Sequence, residues 1–122
     1  MKKVYYHKLI RDKIPERITQ RGGKYSVKKL DKKEFEGELL KKVGEEADGL
    51  LSAKNKQELI SELADVLVVI EEVKKLKRIS GRQIFQALKT NYARKGGFRK
   101  KLFLDWSSDT GYKTNERRYG RK

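Results

Sequence analysis

The stretch "ELADVLVVI", residues 62–70, decides how this chain folds. From Leu63 to Ile70 every residue is apolar except Asp65. A helix drawn through it is apolar on nearly all sides, so Asp65 directs a carboxylate into surroundings where ionised groups are costly. Working outward, "NKQELISELADVLVVIEEVKKLK" (residues 55–77) opens with Asn55 and has Glu58 three positions later, the spacing of a helix N-terminal cap. Leu59, Leu63, Val66, Ile70 and Val73 form an apolar seam spaced 4-3-4-3. Ile60, Leu67, Val68 and Val69 widen that stripe to most of the circumference. A helix this apolar is covered by more than two neighbours. So short a chain hardly supplies them, and a homo-oligomer, at its simplest a dimeric bundle centred on this helix, is the expectation.

Two further helices flank it. "DKKEFEGELLKKVGEEADGLLSA" (31–53) begins with the Asp31/Glu34 capping pair and repeats Phe35, Leu39, Leu40, Val43, Ala47, Leu50 and Leu51 at helical spacing. "SGRQIFQALKTNYARKGG" (80–97) sets Ser80 against Gln83, carries Ile84, Phe85, Leu88 and Tyr92 on one side, and ends at Gly96-Gly97. The short connections near 53–56 and 77–80 predict antiparallel neighbours. Upstream, the lone proline, Pro15, suits the first turn of a short helix over about 14–21 that stops at Gly22-Gly23. Residues 24–30 alternate weakly, as a short extended segment does. The expected fold is therefore an all-α antiparallel helical bundle in one domain, residues 1–106, followed by a basic tail, 107–122, expected to be mobile.

Composition bounds the function. The chain has 122 residues, enough for one modest core. It holds 32 basic against 17 acidic residues, a formal charge of +15. Such a field attracts polyanions such as nucleotides and nucleic acid, the latter through the basic surface and tail, although a solvated lysine-rich surface has the same composition. There is no cysteine, hence no disulfide and no thiolate chemistry. His7 is the single histidine, so zinc of the usual ligand set is excluded. No apolar run reaches membrane-spanning length and the first residues lack a secretory pattern, so a cytoplasmic protein with no membrane partner is expected.

The acids of two sequential helices carry the chemistry. Glu62 and Asp65 are three apart and share a helix face at the margin of the apolar stripe. On the preceding helix Glu46 lies between Leu39 and Leu50, and Glu45 and Asp48 form a second three-apart pair beside it. Antiparallel packing brings both groups to one groove. Crowded carboxylates there need a hard divalent cation such as Mg²⁺, with Mn²⁺ as a substitute, or one of the many basic side chains folded over them.

"GEEADGLL" (44–51) followed by "ELADVLVVI" resembles the paired acidic helices of the all-α nucleoside triphosphate pyrophosphatases. That superfamily includes MazG, the dimeric dUTPases and phosphoribosyl-ATP pyrophosphohydrolase; its signature is E-x-x-E on one helix and E-x-x-D on the next. "KLIRDKIPE" (8–16) and "RKGGFRKKLF" (94–103) are similar to the opening and closing motifs of a small MazG-like subgroup. The resemblance implies Mg²⁺-dependent hydrolysis of a nucleoside triphosphate to monophosphate and pyrophosphate. It makes Glu46, Glu62 and Asp65 metal ligands and Glu45 a supporting carboxylate or base. Lys8, Arg11, Lys13, Asn91, Arg94 and Lys95 become candidates for phosphate and sugar contacts. One departure stands out: Gly49 occupies the place of the second acid of E-x-x-E. Either Asp48 reaches in, or the site has one ligand fewer and holds Mg²⁺ more weakly through extra waters. The alternative to an enzyme is a catalytically degenerate member that binds nucleic acid or an acidic partner through its basic surface.

Overall fold

The computed structural model describes residues 2–110, so the tail expected from 107 onwards falls, beyond Thr110, outside the described residues. The order is α1 (Ile14–Gln20), α2 (Lys32–Gly49), a 3₁₀ turn (Leu50–Ser52), α3 (Lys56–Leu76) and α4 (Gly81–Lys95). The expected all-α fold holds, and residues 24–30 form no strand. No helix among the described residues is long and apolar enough to cross a membrane. The chain divides into two compact units, one ending at Gln86 and one starting at Ala87.

Local chemistry sets the helix starts. Asp31 accepts from the Glu34 backbone N–H at 2.8 Å and Glu34 returns the bond, a complete capping box for α2. At α3 the Asn55 side chain accepts from the Glu58 N–H, while the Glu58 carboxylate reaches one residue further back, to the Lys54 N–H. Ser80 and Gln83 exchange both bonds at the start of α4. Pro15 sits in the first turn of α1, where its missing N–H costs nothing. α4 ends against Gly96, whose φ of +75° is the left-handed cap that a Cβ would strain.

In the first unit α2 and α3 pack side by side as an antiparallel hairpin. Two cross-connections fix the direction: Lys77 at the end of α3 bonds Glu36 near the start of α2, and Glu62 early in α3 lies against Gly49 at the end of α2. Leu39 (4% exposed) and Val69 (7%) form the buried core among the described residues. The predicted seam of α3 is divided between two faces. Val66 and Val73 lie half-buried with Val69, whereas Leu59, Leu63 and Ile70 are exposed together with Ile60 and Leu67. A helix apolar on every side has no unique seam in its sequence; the partner helix covers one stripe and leaves the other.

Candidate metal centre

The last turns of α2 and the first turns of α3 face each other across the hairpin. Glu46 projects from the first, Glu62 and Asp65 from the second, one turn apart. One carboxylate oxygen from each lies within 4.8 Å of the other two. All three residues are half-buried. Asp48, the alternative ligand, is exposed and does not join the group, and neither does Glu45.

Cations crowd around these acids. Arg11 Nη1 donates to Asp65 Oδ1 at 3.2 Å. Lys42 Nζ donates to Glu45 Oε1 at 2.9 Å and stands 3.5 Å from Glu46 Oε1. Lys8 Nζ approaches Glu45 Oε1 at 3.9 Å. The Lys42 side chain is only 11% exposed, far less than those of Lys8 and Arg11, so its stem packs while its ammonium serves both glutamates. A pocket of about 190 Å³ opens here, lined by Lys8, Ile10, Arg11, Ile14, Lys42 and Glu46. A larger hollow of about 470 Å³ near the start of α2, along Lys32, Lys33, Glu36, Gly37 and Leu40, has no converging carboxylates.

The residues expected from sequence thus separate into groups. Glu46, Glu62 and Asp65 converge, with Arg11 on Asp65 and Lys8 beside Glu45. Lys13 is exposed at the N-cap of α1. Asn91, Arg94 and Lys95 are exposed on α4, in the unit that starts at Ala87. Lys42 was missed, although its three- and four-residue spacing to Glu45 and Glu46 is the ordinary spacing of helix ion pairs. Tyr5 stacks on His7 with ring centroids 5.8 Å apart, and the Lys8 ammonium lies 5.3 Å from the Tyr6 ring centre.

The model of the phosphoribosyl-ATP pyrophosphohydrolase family matches residues 5–91, more than half of the chain. The chain belongs to this family. No curated protein and no solved structure matches it significantly. Membership places it among pyrophosphohydrolase-type enzymes with an all-helical fold. The family match takes in "KLIRDKIPE" and every converging carboxylate, and it ends before Arg94 and Lys95.

A divalent ion suits this family member's donor set. All three donors are anionic oxygens, the class that hard cations select. Oxygens bound to one Mg²⁺ span at most about 4.2 Å, since each sits about 2.1 Å from the ion. The present group, with its oxygens within 4.8 Å of one another, lies close to that span. Three like charges so close together also repel, which Arg11 and Lys42 now offset and a cation would offset more strongly.

Proposed function

We propose that the chain hydrolyses a nucleoside triphosphate to the monophosphate and pyrophosphate, using Mg²⁺ or Mn²⁺ held by Glu46, Glu62 and Asp65. The convergence of those three carboxylates, with Glu46 also lining a pocket walled by Lys8, Arg11 and Lys42, carries this reading. When bound, the ion would act as a Lewis acid on phosphate oxygens. Lys8, Arg11 and Lys42 surround the pocket and would bind the polyphosphate, opposing the negative charge that grows on the leaving group. A water oxygen would bond to the α-phosphorus as that phosphorus's bond to the α–β bridging oxygen breaks, and pyrophosphate would leave with that oxygen and the electron pair. Glu45, beside Glu46 and outside the converging group, is left to accept the water's proton. Lys13, Asn91, Arg94 and Lys95 remain candidates through the resemblance alone.

The test is pyrophosphate release from a panel of nucleoside triphosphates, with phosphoribosyl-ATP included because the family description names it. Wild type is expected to turn over at least one member with Mg²⁺, and Asp65→Asn to lose roughly two orders of magnitude or more in kcat/KM, as expected when a metal ligand is removed. A wild type inactive on the whole panel would sink the proposal.

Assembly is the second half of the proposal. Ile60, Leu63, Leu67 and Ile70, spaced 3-4-3 along α3, are exposed as one apolar stripe. With Leu39 and Val69 as the buried core, a single copy gains little from folding. A second copy of the chain placed on this stripe gives α3 the neighbours its composition demands.

A further inference from the structure

Gly49 has an ordinary right-handed backbone, φ −60° and ψ −26°, so nothing conformational calls for glycine there. It closes α2, where glycine is a poor helix former. Its surroundings explain it. A Cβ at Gly49 would stand 2.5 Å from Oε2 and 3.2 Å from Cδ of Glu62. Glycines 22, 37, 44, 81 and 96 have nothing within 4 Å of the corresponding point. Gly23 and Gly97 face Ile18 and Tyr92, whose side chains take no part in the candidate site. Among the described glycines, Gly49 alone has its missing side chain's space filled by a carboxylate, and that carboxylate belongs to the converging group.

We propose that Gly49 is a positioning residue for the metal centre: its missing side chain makes the berth in which the Glu62 carboxylate lies, facing Glu46 and Asp65. The proposal rests on the reading that these three acids hold a divalent cation. It changes the meaning of the departure from E-x-x-E. An acid at this position and Glu62 in its present place compete for the same space. The site in this chain is therefore built for Glu62 to lean on the α2 backbone, without a second acid from that turn. Because the clashing atoms are the far end of a flexible side chain, a Cβ at 49 displaces the carboxylate and spares the fold.

The 122-residue chain and its Gly49→Ala variant are titrated with Mn²⁺, reading free ion by electron paramagnetic resonance, and their thermal unfolding is followed without metal. Losing an interaction that orients a ligand typically weakens metal affinity 10–100-fold. Gly49→Ala is expected to bind Mn²⁺ at least ten-fold more weakly while its metal-free Tm stays equal or rises, because Ala favours the helix. In a Glu62→Ala background the same substitution is expected to change affinity less than two-fold, since the group it displaces is gone. Unchanged affinity in Gly49→Ala, an equal loss in the Glu62→Ala background, or a collapse of helix content would each overturn the proposal and leave the metal reading standing. Absence of Mn²⁺ binding by wild type would overturn both.

Discussion

Arg11 reaches Asp65 across 54 residues of sequence, and the nature of that pair decides what the cation does. The guanidinium side chain is 60% exposed and the carboxylate 38%, so water screens the attraction and the pair is worth less than about 1 kcal/mol. A divalent ion in contact with three carboxylates, as proposed, would outweigh it, so Arg11 would compete with the metal for Asp65 and be released towards phosphate when the metal wins. Arg11→Ala is expected to bind Mn²⁺ up to about five-fold more tightly without nucleotide, the equivalent of that 1 kcal/mol, and to show a raised KM for the nucleotide. Mn²⁺ titration and steady-state kinetics on the same preparation check both signs. Weaker Mn²⁺ binding would mean that Arg11 orients Asp65 and does not compete for it. The convergence of Glu62 and Asp65 with Glu46 was legible from the three-residue spacing of the first two beside an apolar run and from the place of Glu46 at the margin of the preceding helix's apolar face. The Arg11 contact was not, because no local pattern reports a pair so far apart in sequence. Nor was the berth at Gly49, because a missing atom has no signature until its neighbour is placed.

At the scale of elements, the caps set where the helices start, and Asn55 fixes the start of α3. Substituting such a cap by Ala costs about 1 kcal/mol, which for a unit of this size lowers Tm by roughly 4–8 °C. Asn55→Ala is expected to show that loss in a thermal melt, and an unchanged Tm would mean that packing alone sets the start of α3. Helix starts were readable in advance because capping involves residues three positions apart, and all three predicted pairs make the expected bond. The facing of α3 was not readable. Its 4-3-4-3 seam groups Leu59, Leu63 and Ile70 with Val66 and Val73, yet the structure exposes the first three. The polar residues settle it: Glu62 and Asp65 lie on the face that meets α2, and the best apolar stripe is left outward.

At the scale of the molecule, that outward stripe meets a chain of charge +15. Two such copies repel at long range, and the Debye length falls from about 10 Å at 0.1 M salt to about 3 Å at 1 M. Burial of Ile60, Leu63, Leu67 and Ile70 does not weaken with salt in the same way, because it removes apolar surface from water. The two terms therefore give dimerisation an unusual sign: association between copies tightens as salt rises, whereas binding to any polyanion loosens. Sedimentation equilibrium is expected to show a wild-type dimer with a smaller dissociation constant at 0.5 M than at 0.05 M salt, and a Tm that climbs with protein concentration. Leu67→Lys places a charge in the middle of the stripe, where Leu67 is 59% exposed in the single chain. It is expected to sediment as a monomer with a concentration-independent Tm. Leu51→Lys, in the 3₁₀ turn where the native side chain is 90% exposed, is the control expected to leave the dimer intact. A monomeric wild type at every salt concentration would mean that a single copy of α3 keeps its apolar stripe in water and that no second copy covers it.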